Sequence, residues 1–358
     1  MDFSTFCRGV LAGGLIGDCY GYLYEKWYEV DLEVPVKCLQ DSMACVKSSK
    51  IIYSDDTQMG WGILNSLRSR GRFDPQDVVR EFYTNFFTDG GHRYYGKGIH
   101  LLCYKWKESG VEHPYDLAER QFDGSGSYGN GGAMRISPVT LYGMNMPEGD
   151  FEKLVVDITR LTHTHPLGIC GALVQAFAVR QLWHIISKPG AKLDPNAFVD
   201  SLVQRLRQVQ YSYLNFQHPG WKDAYNSFSK KFGLVKELLS KSKDISKSKV
   251  VKLLGNDLCA INSVPTAIYV FLRSLRPISG IPFESIPLRC LAYAISLGGD
   301  TDTIGNMACS LAGGFTGLKI HSDGNDASSP IPPQILSRCE GMETINEKVE
   351  WLSSLLTS

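Results

Sequence analysis

Two clusters of aspartate carry the strongest chemical signal in this 358-residue chain: Ser54-Asp55-Asp56-Thr57, and Asp300 with Asp302 in Gly298-Gly299-Asp300-Thr301-Asp302-Thr303. Each is flanked by hydroxyls and stands just before an apolar-periodic segment. Carboxylates crowded at one place resist ionising together unless positive charge sits among them. A short acidic stretch ahead of a helix also serves as an N-cap, since its oxygens accept orphan amides and its charge suits the helix dipole. Two clusters hold more acid than capping requires, which favours a bound divalent cation. Asp300 and Asp302 lie two apart at a turn, so both can lean toward one point. Their donors, with Thr303, are hard oxygens that suit magnesium or manganese and argue against zinc or copper.

The second chemical feature is the loop Gly124-Ser125-Gly126-Ser127-Tyr128-Gly129-Asn130-Gly131-Gly132, which leads into Ala133-Met134-Arg135. Backbone amides left bare by glycine, with a helix N-terminus behind them, suit a phosphate or pyrophosphate. A plain flexible connection fits the same glycine content. The loop is neither a Walker loop nor a Rossmann fingerprint, since no Gly-Lys-Ser/Thr follows and no strand precedes it. Tyr94-Tyr95-Gly96-Lys97-Gly98 repeats the idea on a smaller scale. Phe122 and Tyr128 could cover a base or ribose, or simply pack the loop. His163 and His165 are two apart, unlike the i, i+4 pair of a helical zinc protease. His165 reads as a structural hydrogen-bonded group at a helix end, and His163 as a possible substrate contact. Glu25, near a glycine-broken helix, gains interest only from its company.

The elements that must position these groups are helical. Three-four spacing runs through Phe151, Leu154, Val155, Ile158 and Leu161, and through Cys170, Leu173, Val174, Phe177, Ala178, Leu182 and Ile185. Each predicts a helix with one buried face. Similar stripes occur at Met59–Leu67, Phe198–Val209, Ile268–Leu275 and Ile304–Phe315. Ile51-Ile52-Tyr53 is the best strand candidate and is too short to found a sheet. The eight lysines at 230, 231, 236, 241, 243, 247, 249 and 252 predict a solvated face.

Composition excludes more than it specifies. Lysine plus arginine equals aspartate plus glutamate at 37 each, so net charge offers no global attraction to nucleic acid or anionic membrane. The ten cysteines form no C-x-x-C pair or compact disulfide framework, and most are expected to be small buried hydrophobes. The longest uncharged stretch, Leu161 to Val179, carries His163, His165, Pro166 and Gln175 and makes a poor membrane span. With no signal peptide in evidence, these features predict a soluble intracellular protein.

Taken together and in this order, Gly17-Asp18 with Glu25, Ser54-Asp55-Asp56-Thr57, Gly96-Lys97-Gly98, Gly124 to Arg135, Leu161-Thr162-His163 and Gly298 to Thr303 resemble the motifs of the ADP-ribosyl-acceptor hydrolases, from about Phe6 to Leu318. The Tyr24-Glu25 pair and the Gly126–Arg135 run look like the branch that removes ADP-ribose from serine and degrades poly(ADP-ribose). Ser54 stands where that branch has threonine, keeping the hydroxyl, and Lys26-Trp27 could alter what reaches the cleft. Residues 188–250 match no family motif.

The resemblance implies an all-α single domain spanning residues 1–358, with two magnesium ions, or manganese, in a central cleft. It implies that Ser54, Asp55, Asp56 and Asp302 hold one ion, and Asp300, Asp302, Thr303 and Glu25 the other. Asp55, Gly96, Gly98, Phe122, Ser125 to Gly131, His163 and Leu258 would surround the ligand, with Glu25 or Asp300 moving the proton. The implied substrates are ADP-ribosylserine in modified proteins, poly(ADP-ribose) and O-acetyl-ADP-ribose. A monomer in cytoplasm and nucleus, binding neither DNA nor membrane, would follow. An arginine-directed hydrolase and a non-catalytic, crystallin-like relative are the alternatives.

Overall fold

The helical periodicity of the sequence becomes helix almost everywhere. The computed structural model describes residues 1–25, 27–44, 49–212, 220–241, 244–319 and 329–356, without the side chains of 210–212. Eighteen α-helices and two 3-10 turns follow one another through these residues. Their only β-structure is two isolated bridges, Ile51 with Cys339 and Gly129 with Cys259. The strand candidate at 51–53 thus contributes one bridge. Lys26, Cys45 and Lys243 fall outside the described residues.

All six apolar stripes lie on helices that bury them, on Asp55–Arg70, Glu148–Arg160, Pro166–Ile186, Pro195–Ser212, Ala260–Ser274 and Thr301–Thr316. Pro166–Ile186 departs from the expected single buried face. It is buried on every side from Gly168 to Arg180, because it runs through the centre between the Glu148–Arg160, Pro195–Ser212, Ala260–Ser274 and Thr301–Thr316 helices. It is also the one described helix long and apolar enough to cross a membrane, and 72% of its most apolar window is buried inside the fold, as befits a core helix.

The first helix corrects a further expectation. The glycines that were expected to break it do not, and Phe3–Tyr22 is continuous. Gly9, Gly13, Gly17 and Gly21 recur every four residues and so share one face. A Cβ at these positions would stand 2.1, 2.1, 2.2 and 2.4 Å from the carbonyl oxygens of Gly313, Cys309, Gly305 and Thr301. The ascending and descending numbers mean that Phe3–Tyr22 and Thr301–Thr316 run antiparallel, backbone against backbone. This contact brings Asp18 beside the Asp300–Asp302 turn.

The lysine-rich stretch is only partly a solvated face. Lys231 is half-buried and donates to Leu253 O, Leu254 O and Asn262 Oδ1, capping the C-terminus of Lys247–Leu254. Lys247 donates to Val30 O at 2.5 Å. The nine described cysteines are free thiols, and seven of them are buried.

Candidate active site

Two helix starts, the turn after the first helix and one loop converge on a cavity of about 710 Å³. Its acidic end is formed by Glu25 in the turn after the first helix, by Asp55 and Asp56 opening Asp55–Arg70, and by Asp300, Asp302 and Thr303 at the start of Thr301–Thr316. The facing wall is the glycine loop, with Ser127, Tyr128, Gly129, Asn130 and Gly131 lining the space beside His163. Gly96, Gly98, Phe122 and Leu258 complete the rim. Of the residues expected at the site, Ser54, Ser125 and Gly126 do not line the cavity.

Ser54 and Gly126 are buried next to lining residues, and Ser125 is exposed. Ser54 is the N-cap of Asp55–Arg70, its Oγ accepting from Asp56 N at 3.2 Å. Capping is therefore done by the serine, which leaves the two aspartates for the cavity. Asp300 occupies the N-cap position of Thr301–Thr316 yet makes no capping bond with its side chain. Its Oδ2 accepts instead from Asn130 Nδ2 at 2.5 Å, tying the acidic end to the glycine loop. Ser125 Oγ donates to Phe122 O, and Gly126 passes against Thr164, where a Cβ would stand 2.0 Å from Oγ1.

Asp18, one turn before the end of the first helix, was part of a motif but had no assigned role. It is fully buried and accepts from Ser54 N at 2.8 Å and from Thr57 N at 3.0 Å. It thus anchors the N-terminus of the helix that presents Asp55 and Asp56. The loop is stitched from its other side, Asn130 N donating to Leu258 O and Ala260 N to Tyr128 O. Tyr94, Tyr95, Lys97, Gln121, Met134, Asp257 and Cys259 also face the cavity and were not expected there. The Tyr94–Lys97 segment had been singled out for its glycines, whereas nothing in the local sequence marks Gln121 or Asp257. Positive φ at Tyr94 (57°), Phe122 (50°) and Asp123 (54°) concentrates backbone strain at the mouth. Phe122 and Tyr128 stand there with ring centroids 5.9 Å apart. His165 is the structural group expected, its Nδ1 accepting from Leu167 N.

The electrostatics match the crowding. Burial, then the charges of Asp302, Asp18 and other acids, holds the Asp55 and Asp56 carboxyls well above the usual carboxylate range. Burial and then Asp300 do the same to Asp302. Asp300 is pushed up to about 6 by burial, with donation from Asn130 among the opposing effects. Thr303 Oγ1 donates to Asp56 Oδ1 at 3.2 Å, while Asp56 Oδ2 is buried without a hydrogen-bond partner. Among the described residues no three His, Cys, Asp or Glu side chains are already gathered into a ligand set. The donors present are carboxylates interleaved with hydroxyls, whose mutual repulsion a hard divalent cation would relieve. At the opposite wall the imidazole of His163 is driven down to about 3 by burial and by the nearby Arg135 charge, so it is neutral.

Comparison with known proteins gives the family and the fold. A family model described as ADP-ribosylglycohydrolase matches residues 3–357. "ADP-ribosylhydrolase ARH3" of Bos taurus is 35% identical over 348 residues, covering 94% of this chain and 89% of that protein. Its namesake in Homo sapiens is 34% identical over 348 residues, with the same coverage. A solved chain described as "ADP-ribosylglycohydrolase-related protein complex" superposes with a TM-score of 0.63 over 99% of both chains, at 17% identity, and so shares the fold.

Proposed function

Because this chain belongs to the ADP-ribosylglycohydrolase family, we propose that it is a divalent-cation-dependent hydrolase releasing ADP-ribose from protein serine, with poly(ADP-ribose) and O-acetyl-ADP-ribose as further substrates. One observation carries the proposal. A single cavity sets five carboxylates at one end against a glycine loop and a neutral histidine at the other. The first arrangement suits cations and a sugar's hydroxyls, the second a pyrophosphate. ADP-ribose holds both chemistries in one molecule.

Asp55, Asp56, Asp300, Asp302, Thr303, Ser54 and Glu25 would hold two magnesium ions, or manganese, with Asp302 serving both. When bound, such ions supply Lewis acidity and the positive charge that the buried carboxylates lack. The remaining work falls to the chain itself. The loop from Ser127 to Gly131 would meet the pyrophosphate oxygens with the backbone amides that remain after Gly129 N and Asn130 N are taken by Ser127 Oγ and Leu258 O. Phe122 and Tyr128 cover the ligand at the mouth. Asn130 orients the Asp300 carboxylate through its 2.5 Å bond. In the reaction, water adds to the anomeric carbon, the bond from that carbon to the serine oxygen breaks, and the serine oxygen takes a proton. Glu25 or Asp300 moves that proton, and the surrounding carboxylates stabilise the oxocarbenium-like charge that builds on the ribose.

The serine preference is supported by Tyr24-Glu25 and the Gly126–Arg135 run. Parallel assays on serine-linked and arginine-linked ADP-ribosyl peptides test it. Release from the serine peptide that Glu25→Ala abolishes is expected. Release from the arginine peptide alone would assign the chain to the other branch.

A further inference from the structure

Beneath the glycine loop lies a cation that the mechanism above does not use. Arg135 is fully buried, and its Nη2 donates to Thr162 Oγ1 at 2.7 Å and to Ile158 O at 3.2 Å. Met59 Sδ lies 3.8 Å from Nη1 and the Phe82 ring 5.0 Å from the guanidinium carbon. None of these partners is a carboxylate. Burying a charge in this way is costly, which calls for a role.

Thr162 supplies the link. Its hydroxyl accepts from Arg135, so its own proton must go elsewhere, and the acceptor that lies within reach among the described residues is His163 Nδ1, at 2.7 Å. A neutral imidazole whose Nδ1 accepts must carry its proton on Nε2. His163 lies against Gly129 and Gly131, where an added Cβ would stand 3.3 and 2.9 Å from Nε2. The ring is therefore packed against the loop on the cavity wall.

We infer that Arg135 and Thr162 are positioning residues that lock His163 as the Nε2–H tautomer, so that it presents a neutral hydrogen-bond donor to a phosphate or ribose oxygen in the cavity. The identity of that ligand rests on the ADP-ribose proposal, whereas the tautomer does not. Arg135 acts twice. Its donation to Thr162 turns the hydroxyl proton toward Nδ1, and its charge opposes a second proton on the ring. The result is a donor that adds no cation beside the acidic end.

The test is the two-bond proton–nitrogen correlation pattern of His163 at neutral pH in protein labelled with 15N-histidine. The chain has eight histidines, and the signals lost in His163→Asn identify this one. The wild type is expected to show an unprotonated Nδ1 and a protonated Nε2. Thr162→Val should mix the tautomers and weaken ADP-ribose binding about tenfold, the cost of one misdirected hydrogen bond. Thr162→Ser should restore both. A protonated Nδ1 in the wild type, or an unchanged pattern and affinity in Thr162→Val, would overturn the inference. Should Thr162→Val not fold, the wild-type pattern and Thr162→Ser still decide the matter. Failure of the wild type to bind ADP-ribose would instead defeat the ligand assignment and leave the tautomer standing.

Discussion

Asp302→Ala is expected to slow ADP-ribose release on the order of a thousandfold or more, the scale of losing several kcal/mol of transition-state stabilisation by a shared cation ligand. Asp302 is 3% exposed and its charge raises the carboxyls of both Asp55 and Asp56. It is therefore the member of its own cluster that faces Asp55 and Asp56. The same substitution should leave the melting temperature unchanged or raise it when no cation is present, because it removes a buried, repelled carboxyl. Measuring both quantities separates a functional carboxylate from a structural one. Activity within a few-fold of wild type would remove Asp302 from the centre of the site. A large drop in stability without cation would give it a structural role instead.

The second large effect is expected far from any carboxylate oxygen. Gly17→Ala places a Cβ 2.2 Å from Gly305 O and 2.3 Å from Gly305 C, both backbone atoms that cannot swing aside. The first helix and Thr301–Thr316 must separate. Overpacking of this kind costs about 3 kcal/mol. The separation also pulls Asp18, and with it the Asp55–Asp56 helix start, away from Asp300 and Asp302, so activity should fall with stability. Gly233→Ala is the matched control, since a Cβ there meets nothing within 4 Å on the Trp221–Leu239 helix. It should be neutral or stabilising by up to about 1 kcal/mol. Thermal melts of the two variants check the contrast. Equal melting temperatures would mean that the helices can slide without loss.

Much of the site was legible because its parts are local. Asp55 with Asp56, Asp300 with Asp302, and the loop from Ser127 to Gly131 each carry their signal within a few residues, and the structure brings all of them to one cavity. The apolar stripes likewise marked six of the helices. What escaped was set by docking between distant segments. Gly17 and Gly21 looked like interruptions of a helix because a glycine lowers helix propensity whatever lies opposite it. Only the facing carbonyls of Thr301–Thr316 reveal the stripe as a contact surface. Asp18 anchors a helix 36 positions further on. Arg135, Thr162 and His163 were all within quoted motifs, but their connection spans 27 residues and depends on how one buried guanidinium turns.

The most direct test of a cation-dependent ADP-ribose hydrolase is the time course of ADP-ribose release from a serine-linked peptide by the full chain, with magnesium present and after treatment with a chelator. Release that stops on chelation and returns with added magnesium is predicted. Release that continues unchanged in chelator, or no release from this peptide with magnesium in excess, would contradict the account.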